Sequence, residues 1–123
     1  MTKKAIVLGG SGFIGSHLVE HLLEESYEVV VIDRITNHVD LRFMNDKVKH
    51  YFADISDSNI VKKIIKKDDI VVHLAAQSHV DVSFQEPHQT ILSNVLATQN
   101  IMQASLENNA KQVLIMSTDE VYG

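Results

Sequence analysis

Gly9-Gly10-Ser11-Gly12-Phe13-Ile14-Gly15 satisfies Gly-x-Gly-x-x-Gly counted from Gly10 and Gly-x-x-Gly-x-x-Gly counted from Gly9. Glycine at this spacing allows a tight turn, close approach of the backbone to a pyrophosphate, and close packing of a helix on a strand. The helix N-terminus adds N–H groups and the positive end of a dipole. A glycine motif alone is weak, because a tight strand-to-helix turn with no ligand uses the same residues. Here the apolar run Ala5 to Leu8 precedes it, a helical pattern follows it, and Asp33 ends the next apolar run. A carboxylate about 20 residues on can accept from a ribose 2′-hydroxyl. The combination points to a dinucleotide. A mononucleotide P-loop is excluded, since no Gly-Lys-Ser/Thr follows. Asp33 repels a 2′-phosphate and so selects NAD over NADP, with Arg34 beside it as the one feature pulling the other way.

Two further groups could carry chemistry. Ser117-Thr118-Asp119-Glu120-Val121-Tyr122-Gly123 places a hydroxyl pair and two adjacent carboxylates just beyond an apolar run. Paired carboxylates divide acid and base roles when their environments separate their pKa values. A polar turn explains the same residues equally well. His17-Leu18-Val19-Glu20-His21 spells His-x-x-Glu-His, a zinc-binding pattern when i and i+4 side chains share a helix face. That helix is already committed to the glycine turn, and a catalytic zinc needs a third ligand and an open position, so an ordinary helix surface is the better reading and no metal is expected. His73, inside an apolar run, reads as a hydrogen-bonded core histidine. His38, His50 and His88 carry no readable chemistry.

The elements that must position these residues follow from four nearly uninterrupted apolar runs: Ala5 to Leu8, Val29 to Ile32, Ile70 to Leu74 and Val113 to Met116. Continuous rather than alternating runs indicate strands covered on both faces, as in a parallel sheet. A weaker run, Val48 to Phe52, fits an edge strand. Helical spacing between the runs gives an α/β chain with a doubly wound parallel sheet of the Rossmann type, ending after its fifth strand. The first helix starts near Gly12, with Ile14, Leu18 and Leu22 on one face. The second spans Asp57 to Lys67, with Asp57 or Ser58 as N-cap, Ile60, Val61, Ile64 and Ile65 as its buried stripe, and Lys62, Lys63, Lys66 and Lys67 on a solvated face. A long helix starts at Pro87 and reaches about Asn108, with Ile91, Val95, Met102 and Leu106 as an inward or interface stripe.

The 123 residues, 45% hydrophobic and 22% charged, suit one domain and exclude disorder. Eleven Lys plus Arg against 16 Asp plus Glu leave a formal charge of -5, no footprint for a nucleic acid. Without cysteine there is no disulfide framework, which suits a reducing cytoplasm. No apolar run is long enough for a signal-peptide core or a membrane span. The chain stops at Gly123, where a site at the carboxyl ends of the strands would begin, so a fragment of a longer protein is expected, with Val113 to Met116 uncovered and able to drive self-association.

The glycine turn, Asp33, Ala53-Asp54-Ile55, His73-Leu74-Ala75-Ala76-Gln77-Ser78-His79-Val80-Asp81, Asn94-Val95 and Ser117 to Gly123 together resemble the extended short-chain dehydrogenase/reductases, the NAD-dependent epimerase/dehydratase family. The resemblance spans essentially the whole chain. It is greatest toward the sugar-nucleotide 4,6-dehydratases of the dTDP-glucose type, because related epimerases usually carry small residues where this chain has Asp119 and Glu120. What it implies is a lyase in which NAD carries a hydride from C4 to C6 of the sugar while water is lost across C5 and C6. By analogy Asp119 protonates the departing C6 hydroxyl, Glu120 removes the C5 proton and Thr118 holds the C4 hydroxyl. Gly9, Gly12, Phe13, Ile14, Gly15, Asp33, Arg34, Ile35, Thr36, Asp54, Ile55, Leu74, Ala75, Ala76, Gln77, Ser78 and Ser93 match positions that hold the cofactor, and Ser78 and Thr118 are also placed to touch substrate. The resemblance further implies a homodimer using the long helix. Gln77, Val82 and Ala97 depart from the family's usual Glu, Arg and Gly. Its Tyr-x-x-x-Lys pair and sugar-nucleotide-binding region would lie beyond Gly123, so residues 1–123 are expected to be an incomplete NAD-binding domain, inactive alone. A stand-alone NAD-binding module and an epimerase or decarboxylase relative are the alternatives.

Overall fold

The computed structural model describes residues 3–10, 13–33, 45–53, 55, 57–74 and 95–116. Their elements run β1 (Lys4–Leu8), α1 (Phe13–Glu24), β2 (Glu28–Asp33), β3 (Lys49–Phe52), α2 (Ser58–Ile64), β4 (Ile70–His73), α3 (Ala97–Glu107) and β5 (Gln112–Ile115). The sheet order is β3-β2-β1-β4-β5, and every neighbouring pair is parallel. All five expected strands are present, the weak run as the edge strand β3. Among the described residues no helix is long and apolar enough to cross a membrane.

The continuous apolar runs are explained by cover on both faces. Val7, Val29 and Val31 pack against Val19 of α1, with Leu18, Leu22 and Leu23 around them. On the other face Ile6, Leu8, Val30, Ile32 and Val71 pack against Val61 of α2 and Ala97, Ile101 and Ala104 of α3. Central β1 has Ala5, Ile6, Val7 and Leu8 all fully buried.

The helix boundaries and faces differ from expectation in three places. In α1 the buried residues are Gly15 and Val19, whereas Ile14 is exposed because the first turn lies beyond the sheet's end. Asp57 is the N-cap of α2, accepting from the Asn59 N–H at 3.0 Å, but the helix stops at Ile64, short of Lys67. Asp69 Oδ2 takes the Lys66 N–H at 2.7 Å, and Asp68 turns the chain at φ 66. The Asn108 side chain covers the end of α2, donating to the Lys62 and Ile65 carbonyls at 2.8 Å. In α3 the buried residues are Ala97, Ile101, Ala104 and Ser105. Val95, just before the helix, and Met102 and Leu106 within it are exposed: Ala97 and Ala104 let the helix lie close to the sheet beside the buried Ile101. Leu114 and Ile115 of β5 and the following Met116 are exposed as well. The Pro87 start and Ile91 lie outside the described residues.

Candidate functional site

The parallel strands run out together at their carboxyl ends, and the hydrogen-bond ladder continues into the loops. Gly9 N–H donates to the Ile32 carbonyl at 2.9 Å, Leu74 N–H to Leu8 at 2.8 Å, Ala53 N–H to Asp33 at 2.9 Å and Met116 N–H to His73 at 3.1 Å. Gly9, Asp33 and Leu74 are thereby fixed at one edge of the sheet. The strand order reverses between β1 and β4, and a reversal of this kind opens the crevice in which open α/β sheets bind ligands.

The glycines of the turn have separate reasons. Gly9 holds φ 88, a conformation that costs L residues more than glycine. A Cβ on Gly10 would meet the Val31 methyls at 2.7 and 2.8 Å, and one on Gly15 would meet the Gly9 carbonyl oxygen at 2.2 Å. The turn therefore brings helix α1 down onto β1 with no space for a side chain, and its first residues, Phe13 and Ile14, stand out at 68% and 58% exposure. Asp33, only 4% exposed, closes β2 one strand away. A glycine turn packed too closely for any Cβ, a helix N-terminus beside it and a buried carboxylate one strand away fit the pyrophosphate and ribose of a dinucleotide.

The other sequence-derived positions divide. Ile55 is buried at 8% in the α2/α3 core, and its carbonyl accepts from Asn100 Nδ2 at 3.1 Å. Leu74 is half-buried against the α1 cluster. Gly12, Arg34, Ile35, Thr36, Asp54, Ala75, Ala76, Gln77, Ser78, Ser93, Thr118, Asp119 and Glu120 lie outside the described residues. His17, part of the zinc-like pattern, has Nδ1 2.8 Å from the Phe13 carbonyl and its ring against the Phe13 ring. Among the described residues no group of three or more His, Cys, Asp or Glu could hold a metal ion. His73 is 3% exposed with Nε2 3.1 Å from Thr98 Oγ1, the hydrogen-bonded core histidine expected; burial lowers its pKa from 6.5.

Two residues escape the sequence reading of the site. Gly10 counts there only as a motif position, and its contact with Val31 becomes visible once β2 lies beside β1. His50 becomes visible once β3 is in register with β2: its Nδ1 lies 3.9 Å from Asp33 Oδ2. Strand alternation puts His50 on one face with Phe52, but the partner strand cannot be read from that.

Residues 5–123 match the model of the NAD dependent epimerase/dehydratase family. A dTDP-D-glucose 4,6-dehydratase from Mus musculus is 37% identical over 98% of this chain, and a UDP-glucose 4-epimerase from Lactobacillus helveticus is also 37% identical over 98%. The chain spans 37% of the length of each. Among solved structures, a dTDP-glucose 4,6-dehydratase from Streptomyces venezuelae with NAD and TYD bound superposes with a TM-score of 0.88 at 34% identity, covering 98% of this chain and 41% of that one.

Proposed function

The chain belongs to the NAD dependent epimerase/dehydratase family, and from that premise we propose that it is the NAD-binding part of a sugar-nucleotide 4,6-dehydratase of the dTDP-glucose type. The observation that carries the reading is the close-packed glycine turn at Gly10 and Gly15, which sets the N-terminus of α1 at the end of β1, one strand from the buried Asp33 carboxylate. Gly9 to Gly15 would hold the pyrophosphate, Asp33 the adenosine ribose, and Phe13 and Ile14 would offer apolar surface at the mouth; Arg34 to Thr36, Asp54, Ile55, Leu74 to Ser78 and Ser93 complete the proposed lining. NAD, when bound, supplies a reversible hydride acceptor. Around it Thr118 would hold the sugar C4 hydroxyl, Glu120 would take the C5 proton, and Asp119 would give a proton to the C6 oxygen as it leaves. Asp119 and Glu120 together favour dehydration over simple epimerisation. The similarity to a UDP-glucose 4-epimerase is the observation on the other side.

The test uses a polypeptide that extends this chain through the family's Tyr-x-x-x-Lys pair. With dTDP-glucose and NAD it should yield a 4-keto-6-deoxy sugar nucleotide; inversion at C4 without loss of water would overturn the reading. Glu120→Gln should slow product formation by about 100-fold or more while NAD affinity holds. The complete enzyme is further proposed to be a cytoplasmic homodimer. The exposed Val95, just before α3, and Met102 and Leu106 along it support the dimer.

A further inference from the structure

The carboxylate that ends β2 has a titratable neighbour on the edge strand. The register pairs Val31 with His50 and Asp33 with Phe52, so His50 is the diagonal neighbour of Asp33 on one face of the sheet. Its Nδ1 lies 3.9 Å from Asp33 Oδ2, and the two side chains are 13% and 4% exposed. Its Nε2 lies 3.1 Å from the Asn45 carbonyl oxygen. A carbonyl oxygen only accepts, so Nε2 carries the hydrogen and donates it. The neutral ring then turns the bare lone pair of Nδ1 toward a carboxylate. That Nδ1 is buried and has no hydrogen-bond partner among the described residues. A second proton on the ring would convert the contact into a charge-assisted pair. The Phe52 ring, stacked at 6.0 Å and 11°, fixes the plane in which this happens.

We propose that His50 is a positioning residue whose charge sets how firmly Asp33 holds the ribose hydroxyl of the cofactor. This rests on the NAD-binding reading above. With the ring neutral, His50 compensates none of the charge that Asp33 offers to the hydroxyl. With the ring protonated, Oδ2 is drawn toward the edge strand and part of that charge is compensated, so NAD is held less well. The neighbouring elements supply the other charged and titratable groups to be considered. Asp33 on β2 faces the ring. Lys49 and Tyr51 are directed to the opposite face by strand alternation, with the Lys49 ammonium 5.2 Å over the Tyr51 ring. Asp46 and Lys47 are exposed on the turn that carries Asn45.

Two measurements on the intact chain test this. NAD⁺ affinity by calorimetry from about pH 8 to about pH 5 should fall roughly fivefold, the worth of one hydrogen bond, and His50→Gln should flatten that profile. Heteronuclear NMR of the ring nitrogens, with no cofactor present, should show the neutral ring protonated on Nε2. A His50→Gln chain that keeps the wild-type pH profile, or a neutral ring protonated on Nδ1, would overturn the proposal. The NMR arm also decides the matter if His50→Gln fails to fold. Absence of NAD⁺ binding at every pH would instead overturn the cofactor reading.

Discussion

The two faces of the sheet are filled by opposite means. On the α1 face a helix is brought against β1 and β2 by leaving side chains out: Gly10 sits on the Val31 methyls and Gly15 on the Gly9 carbonyl, with a small cluster of valines beneath. On the α2/α3 face the space is filled by branched side chains, Ile6, Leu8, Ile32, Ile65 and Ile101 among them, all fully buried. The difference separates two kinds of constraint. On the first face the turn that closes the packing is also the turn proposed to meet a pyrophosphate, so fold and binding should fail together. On the second, packing is independent of the carboxyl-end loops and its loss is a loss of stability alone.

Gly15→Ala should have the largest effect. The added methyl would lie 2.2 Å from a backbone oxygen, which cannot swing aside as a side chain can. Destabilisation of about 3 kcal/mol or more is expected, a large part of the 5–15 kcal/mol typical of a domain. Urea denaturation should show it, and calorimetry should find NAD⁺ binding abolished in whatever remains folded. Ile101→Ala supplies the contrast. It empties a fully buried site and should cost about 2–4 kcal/mol, yet NAD⁺ affinity measured on the folded fraction should match wild type. Equal loss of binding in both variants would break the distinction between the faces.

Gly10→Ala sharpens the comparison, because its obstacle is a side chain. The methyl would meet Val31 Cγ1 at 2.7 Å and Cγ2 at 2.8 Å, at an expected cost of about 1–3 kcal/mol. Val31→Ala removes both offending atoms and by itself costs about 2 kcal/mol as a cavity. The double variant should therefore be more stable than the sum of the single changes predicts, by about 1 kcal/mol or more. Strict additivity in the urea midpoints would show that the turn yields in some other direction.

How far the sequence reveals these features depends on whether the cause is local. The strands were legible because burial on both faces writes itself as continuous apolar runs. Asp57 was legible as a cap because its bond reaches only to Asn59. The glycine turn could be placed between strand and helix from its neighbours in the chain. The end of α2 was not legible, since it depends on Asn108, from the far end of α3, covering the last carbonyls. Nor was the buried face of α3. Its pattern of large apolar residues pointed to Val95, Met102 and Leu106, while close approach to the sheet selects Ala97 and Ala104. Gly10 and His50 acquire their contacts only through strand register, and periodicity does not report which strand lies alongside.

His73 offers the smallest effect and tests whether the aliphatic face is as indifferent to chemistry as its side chains suggest. It lies on β4 with its ring toward Thr98 of α3, and burial penalises its charged form, so its pKa in the folded chain lies below the ordinary 6.5. The unfolded chain therefore binds a proton more readily than the folded one as the pH falls below 6.5, and acid favours unfolding. The contribution of a neutral His73 is complete above that value and is lost progressively as the pH falls toward the folded-state pKa. Urea midpoints measured from neutral to mildly acidic pH should decline in the wild type, and less in His73→Gln, which retains a polar group able to reach Thr98 but has no proton to gain. An equal decline in both would assign the acid sensitivity to other groups and leave the α2/α3 face a purely apolar support. A smaller decline in the variant would show that this face, too, carries one residue whose charge the fold must suppress.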